Sequence, residues 1–253
     1  MKRGQVAAFF IIALLVIITV SIIAYLQWDY IEGNWLSRLG FYDSVPQEVQ
    51  PIHDQIMQGF EDTSLIIIPE NAWQSGYYKL GDNVNPYGTT YYIYKSQTMM
   101  PSKEFIEDQL ALAMDENIPL YINYDSISSD FVVIPQEVPK TKVIIEDEAI
   151  IFETNYPHSI TKGNQTFNLE NFKYVAEIRY GELLDVLKES VDMQSDRMEG
   201  ICMDCLLDLN QEYGVTFEVF KPADHETEVV MFADDTVIDG RTLQFMYAVR
   251  YAQ

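Results

Sequence analysis

A long uninterrupted apolar segment near the amino terminus constrains the fold of this chain more than any other feature. Residues 6–25, VAAFFIIALLVIITVSIIAY, contain no charged side chain. At a rise of about 1.5 Å per residue, about 20 helical residues span about 30 Å, which is the hydrocarbon thickness of a bilayer. A cleavable secretory signal has a shorter apolar core, of about 7 to 15 residues, and then a small-residue cleavage site. The segment shows neither feature and predicts a transmembrane helix within residues 5–28.

The residues on either side of this segment predict its orientation. Lys2 and Arg3 precede it, and Trp28 and Tyr30 follow it. Cationic residues are retained on the cytoplasmic side, whereas Trp and Tyr concentrate at the membrane–water interface. We therefore expect a single-pass protein of the cell membrane with a cytoplasmic amino terminus. An extracytoplasmic stalk, residues 29–44, and an extracytoplasmic domain, residues 45–253, would follow the helix.

The part of the chain beyond the predicted helix is strongly acidic. All 39 Asp and Glu residues follow Trp28, together with 14 of the 16 Lys and Arg residues, which makes a formal charge of minus 25. Such a surface repels phosphate groups, so we expect no nucleic acid among its partners. The acidity is compatible with a saline habitat, with cation binding or with colloidal repulsion, and charge alone does not choose among these.

Hydrophobic periodicity in residues 45–253 predicts an α+β fold. Apolar side chains recur at helical spacing in three segments, 45–60, 101–117 and 180–213, and glycines at positions 200 and 214 are expected to divide and to end the last one. Strands and turns are expected between and after these helices, in residues 65–80, 89–96, 130–169 and 215–251. Strict alternation from Leu243 to Tyr251 indicates a closing antiparallel meander. We also place a subdivision of the domain near residues 125–140.

The chain contains two cysteines, Cys202 and Cys205. A zinc ribbon needs a second such pair or suitably spaced histidines, and neither is present. A redox-active CxxC usually opens a helix after a strand, and no such unit is evident upstream. We interpret the two residues as core-facing, one helical turn apart, and joined by a local disulfide in an oxidising compartment.

A short motif in the middle of the domain predicts a modification. Asn164, Gln165 and Thr166 form an N-x-T acceptor on an expected hairpin turn, KGNQ. On the outer face of the membrane, Asn164 would be available for glycosylation.

Motifs of known catalytic chemistry are missing from the sequence. It contains no GxSxG, HExxH, phosphate-binding glycine loop or dinucleotide fingerprint. Two acidic segments, residues 223–228 and 232–240, supply carboxylates for a hard cation, but their spacing matches no EF-hand loop. We predict no catalytic residue, no metal site and no cofactor.

A tyrosine-rich stretch, residues 76–95, has two interpretations. Its six tyrosines offer amphipathic surfaces of the kind used in adhesion, sugar stacking and subunit contacts. Tyrosine also favours half-buried strands, which would make these side chains structural.

The first residues carry a family resemblance. Lys2, Arg3, Gly4 and Gln5, followed at once by the apolar run, resemble the class III signal of archaeal type IV pilins and archaellins. The resemblance implies that residues 1–4 are a signal, that a prepilin-type peptidase cuts between Gly4 and Gln5, and that the helix remains as a filament core. The whole layout also resembles single-anchor archaeal surface proteins whose function is not established.

Three functional hypotheses follow from these observations. The first is a non-catalytic, pilin-like surface protein with a structural or adhesive role in a filament or envelope assembly, whose partners are the membrane and copies of itself or other envelope proteins. The second is a receptor or binding domain of an envelope complex that stays in the bilayer. The third is an ectoenzyme, for which no residue in the sequence is a candidate.

Overall fold

The computed structural model of the chain describes residues 45–95, 97–195, 197, 200–222 and 226–251. The predicted signal, transmembrane helix and stalk therefore fall outside the described residues. Within the described part, no helix is both long enough and apolar enough to cross a membrane. Gln47–Gln253 form one compact unit.

Helices and strands follow one another in an α+β order, as the sequence predicts. The four α-helices of the described residues are α1 (Gln50–Trp73), α2 (Lys103–Tyr121), α3 (Tyr180–Ser195) and α4 (Met203–Tyr213). The nine strands are β1 (Tyr91–Tyr94), β2 (Gln97–Thr98), β3 (Phe131–Pro135), β4 (Lys140–Ile145), β5 (Ile150–Lys162), β6 (Gln165–Ala176), β7 (Thr216–Phe220), β8 (Glu228–Ile238) and β9 (Arg241–Arg250). Short 3₁₀ turns lie at Gln47–Val49 and Tyr124–Ser126.

Helix α1 is longer than the sequence predicts. The sequence predicts a helix that ends near Phe60 and a strand within residues 65–80, but α1 continues through Pro69. That prediction is wrong for a physical reason. Proline inside a helix costs about 3 kcal/mol, because it cannot donate to the carbonyl four residues earlier. Burial offsets this cost: Ile67 and Ile68 are 2% and 0% exposed, and burying each such side chain gains about 1.5 to 3 kcal/mol.

The first sheet has five strands in the order β2-β1-β9-β8-β7. Strands β7, β8 and β9 form the antiparallel meander that the sequence predicts. Strand β1, however, pairs in parallel with β9, so the sheet is mixed rather than antiparallel throughout. The side chains on one face of β9 are buried, and this face packs against α1; they are Leu243, Phe245, Tyr247 and Val249.

The second sheet is built around the long central strand β5. Strand β6 pairs with one edge of β5 along nearly its whole length. The other edge carries β4 opposite residues 150–155 and β3 opposite residues 158–162. The register with β6 shifts between Asn155 and His158, where Pro157 interrupts the strand. Proline has no N–H for the ladder, which explains why the irregularity falls at this position.

Helices α1 and α2 pack against each other and against both sheets. Helix α1 contacts β9 of the first sheet and β6 of the second, and α2 contacts β4. The helices approach closely where α1 passes the end of α2, since a Cβ atom on Gly59 would lie 2.6 Å from Cγ1 of Ile122. Helix α2 begins within the predicted segment 101–117, with Ser102 as its N-cap, whose Oγ accepts the N–H of Phe105 at 3.3 Å. Phe105 is 37% exposed.

Helices α3 and α4 occupy the segment that the sequence predicts as two helices. Gly200 lies between them, and Gly214 ends α4 with a φ of +70°, a left-handed conformation that glycine adopts at low cost. The start of α3 lies directly against the turn between β4 and β5. The N–H of Glu182 donates to the carbonyl of Asp147 at 3.3 Å, which joins this helix to the second sheet.

Candidate binding groove

The predicted signal and interface residues precede the described part of the chain; they are Lys2, Arg3, Gly4, Gln5, Trp28 and Tyr30. Asn164 lies with Gly163 in the two-residue turn between β5 and β6, and its side chain is exposed. Gly163 has a φ of +60°, as the first central position of a II′ hairpin turn requires. The N-x-T acceptor is thus open to solvent, and its glycosylation stays a prediction.

The acidic segments do not converge on a cation site in the part of the chain that the structure describes. Asp224 and His225 lie outside the described residues. Asp234 is 4% exposed and forms an ion pair with Arg179 at 3.0 Å. Asp239 is exposed in the turn between β8 and β9. No group of three or more His, Cys, Asp or Glu side chains among the described residues is arranged to hold a metal ion.

Two of the six tyrosines in the tyrosine-rich stretch are buried. Tyr91 and Tyr92 are 6% and 0% exposed, and the hydroxyl of Tyr92 donates to the carbonyl of Ser75 at 2.7 Å. Burial raises the pKa of Tyr92. Tyr87 is the most exposed aromatic side chain of this stretch, at 57%. For Tyr91 and Tyr92, the structure therefore supports the interpretation as strand residues.

A buried histidine–tyrosine pair links the 3₁₀ turn after α2 to β5. His158 is 1% exposed; its Nδ1 lies 2.7 Å from the carbonyl of Tyr156 and its Nε2 lies 2.7 Å from the hydroxyl of Tyr124. Because a carbonyl only accepts, Nδ1 carries the proton and Nε2 accepts from Tyr124. Burial lowers the pKa of His158 and raises that of Tyr124. Both side chains are held neutral, which suits a structural hydrogen bond.

A groove of about 580 Å³ lies where the end of α1 meets the start of β9. Its lining residues are Pro69, Glu70, Trp73, Gln74, Arg241, Thr242 and Gln244. Pro69, Glu70 and Trp73 are spaced three and four apart, so they share one face of α1, and Gln74 follows as its C-cap. That face exists only because α1 continues past Pro69.

The floor of the groove includes a strand edge. Strand β8 occupies one edge of β9, whereas β1 occupies the other only from Ala248 onward. Ala248 donates its N–H to Thr90 across that second edge at 2.8 Å, and the carbonyl of Met246 accepts the hydroxyl of Ser75. Alternate residues of a strand direct their N–H and C=O groups to the same edge. The backbone of positions 242 and 244 therefore faces the groove, and no strand among the described residues pairs with it there.

The side chains of the groove combine an aromatic surface with several hydrogen-bonding groups. Trp73 is 44% exposed. Within the described part of the chain, Arg241 and Glu70 form no ion pair, although acidic residues outnumber basic ones more than twofold. The carboxamide of Gln74 adds a donor and an acceptor. The groove thus offers a ring face beside both hydrogen-bond donors and acceptors.

A second cavity, of about 450 Å³, lies between the start of α2 and one face of α3. It is lined by three carboxylates, of Asp147, Asp185 and Asp192, and by the ammonium groups of Lys103 and Lys188. All five side chains are exposed, and no aromatic side chain lines the cavity. The groove at Trp73 is therefore the stronger candidate for ligand binding.

Sequence patterns alone do not predict this groove. Trp73 and Arg241 fall within segments 65–80 and 215–251, where only strands and turns are expected. A tryptophan next to the polar residues NAWQS is the local signal that could have drawn attention to the site. The position of Trp73 next to β9 depends on a tertiary contact between segments that are distant in the sequence.

A comparison with known proteins finds no matching family model, no matching curated protein and no matching solved structure.

Proposed function

We propose that this chain is a pilin-like, membrane-anchored archaeal surface protein with an adhesive role in a filament or cell-envelope assembly. Two features of the sequence support the anchored location: the uncharged run at residues 6–25 and the preceding Lys2, Arg3, Gly4 and Gln5. The domain from residue 45 onward would then lie outside the cell, and a prepilin-type peptidase would process the signal.

The groove between α1 and β9 is the observation that carries the adhesive role. A pocket of 300 to 1,000 Å³ is typical for small ligands, and this one measures about 580 Å³. The exposed ring of Trp73 provides a flat apolar surface, on which the C–H face of a sugar ring stacks. Arg241, Glu70 and Gln74 line the same groove, and their donors and acceptors match sugar hydroxyl groups, which both donate and accept.

Charge favours an uncharged saccharide over an acidic one. The residues beyond the predicted helix carry a formal charge of minus 25, which repels anionic polymers over a distance of about 8 Å at physiological salt. In the groove itself, the negative charge of Glu70 is balanced by the positive charge of Arg241. We therefore assign the site to neutral hexose units of a cell-surface or envelope polysaccharide.

A glycan array probed with the full chain in detergent tests this assignment. We expect neutral oligosaccharides to bind and Trp73→Ala to weaken binding by about 2 kcal/mol, about 30-fold, as for a central aromatic contact. The matched control is Tyr87→Ala, which removes another exposed aromatic ring outside the groove, and its binding should equal that of the wild type. Equal losses in both variants, or binding of acidic glycans alone, would contradict the assignment.

Pilin-like processing has its own test, which is independent of the groove. Amino-terminal sequencing or intact mass of the native protein should give a mature start at Gln5. A native protein that retains Met1 would eliminate pilin-type processing and favour the alternative, a bilayer-resident receptor or binding domain of an envelope complex.

A further inference from the structure

The two cysteines lie at the start of α4 and not on its core-facing side, where the sequence predicts them. Cys202 and Cys205 are joined by a disulfide, and Cys202 is the N-cap of α4 rather than a core-facing residue within a helix. Both side chains are half-buried. The pair therefore opens an eleven-residue helix, a position that lowers the pKa of cysteine thiols in CxxC pairs, although α4 follows a helix and not a strand.

The start of α4 is built to stabilise a negative charge on one of the two sulfur atoms. The backbone N–H of Cys205 donates to Sγ of Cys202 at 3.3 Å. Free N–H groups and the helix dipole give the amino end of a helix a partial positive charge. A thiolate released at Cys202 would receive this stabilisation, whereas one at Cys205 lies further along the helix. The two sulfur atoms are thus chemically unequal.

A second, independent feature lies beside Cys202. The side chain of Gln194 is 0% exposed, and its Oε1 accepts the backbone N–H of Cys202 at 2.7 Å. This bond fixes the orientation of the carboxamide, because only its oxygen accepts. The Nε2 atom of the same group has no hydrogen-bond partner among the described residues. A buried, unpaired amide donor is costly, and this one belongs to a side chain that is bonded directly to the backbone of Cys202.

One face of α4, which the disulfide opens, carries exposed apolar side chains. Met203 and Leu207 are 57% and 55% exposed, and they lie four residues apart on one face of α4. Exposed apolar side chains around a reactive sulfur suit contact with a polypeptide. The bridge also spans a sequence separation of only 3, where a disulfide restricts the unfolded chain least.

We propose that Cys202 and Cys205 form a dithiol–disulfide exchange centre that acts on protein thiols and disulfides. In the reduced protein, the Cys202 thiolate attacks one sulfur of a partner disulfide, and the other partner sulfur leaves as a thiolate. The thiol of Cys205 then loses its proton and attacks Sγ of Cys202. This reforms the Cys202–Cys205 bond and releases the second partner thiolate. Two electrons pass from this chain to the partner, and a dithiol compound regenerates the reduced form.

Trapping the mixed disulfide tests this inference on the full chain in detergent. Cys205→Ser removes the resolving thiol, so Cys202 should form a stable mixed disulfide with oxidised glutathione. The matched variant, Cys202→Ser, leaves the sulfur that lacks the N-cap contact, and we expect it to react about tenfold more slowly at neutral pH. The wild type should reduce the disulfides of insulin in the presence of dithiothreitol faster than dithiothreitol alone.

A structural disulfide would behave differently in each measurement. Equal reaction rates in the two cysteine variants would overturn the proposal, and so would a wild-type protein that does not accelerate insulin reduction. If either variant fails to fold, the wild-type rate decides alone. Circular dichroism of the wild-type protein with dithiothreitol is a further check, because an exchange centre must keep its fold when reduced, and unfolding on reduction would also refute the inference.

Discussion

Replacing Gly181 by alanine should destabilise the domain at the contact between α3 and the second sheet. A Cβ atom at this position would lie 2.4 Å from the carbonyl oxygen of Glu146, 2.8 Å from its carbonyl carbon and 3.0 Å from Cα of Asp147. All three are backbone atoms, so no side-chain rotation relieves the overlap. Either the turn between β4 and β5 or the first turn of α3 must move, and the hydrogen bond from Glu182 to Asp147 would lengthen.

The magnitude follows from two opposing terms. Adding a methyl group to a closely packed site costs about 1 to 3 kcal/mol, while alanine is favoured over glycine inside a helix by about 0.5 to 1 kcal/mol. The overlap is with backbone, which places the first term toward its upper end. We expect Gly181→Ala to lower the free energy of unfolding by about 1 to 2 kcal/mol.

Equilibrium unfolding in urea, followed by near-ultraviolet circular dichroism, measures this difference. The urea concentration at the unfolding midpoint should fall. The slope of the unfolding free energy against urea concentration should stay unchanged, because the surface area exposed on unfolding is the same. Gly81→Ala is the matched control, because a Cβ atom there meets nothing within 4 Å, and it should change stability by less than about 0.5 kcal/mol. If Gly181→Ala were as stable as Gly81→Ala, the close approach that positions α3 would be refuted.

Two further predictions concern buried polar groups. Burial lowers the pKa of His158 in the folded state, so the unfolded state binds a proton more readily. The contribution of His158 to the free energy of unfolding is therefore complete above about pH 6.5 and falls at lower pH by up to about 1.4 kcal/mol per pH unit. Urea unfolding at several pH values should show this dependence in the wild type and not in His158→Gln. Arg179→Met leaves Asp234, whose side chain is 5% exposed, without its guanidinium partner. We expect Arg179→Met to lower the free energy of unfolding by about 2 kcal/mol. This is less than the cost of breaking a fully buried ion pair, because Arg179 is partly solvated. The double variant with Asp234→Asn should recover part of this loss, and no recovery would contradict the ion-pair explanation.

Residue patterns of short range determine a large part of this fold by themselves. Helix α2 follows from apolar side chains at helical spacing after the N-cap Ser102, and the division of the later helices follows from Gly200 and Gly214. The β5–β6 hairpin follows from the turn residues Gly163 and Asn164. Each of these features depends on interactions between neighbours in the chain, which a sequence displays directly. The uncharged run at residues 6–25 is equally local, and it carries the membrane prediction without help from the structure.

Contacts between distant segments decide the rest. Burial against the first sheet lets α1 continue through Pro69, although local propensity would end it there. The same contact places Trp73 beside β9 and creates the groove. Because β1 pairs with β9 only from Ala248 onward, the earlier part of that β9 edge has no partner strand among the described residues. The position of Cys202 depends likewise on where α4 begins, which the hydrogen bond from its N–H to Gln194 helps to set. A pattern of residue types records which side chains prefer burial, but the partner that buries them is chosen only when the whole chain has folded.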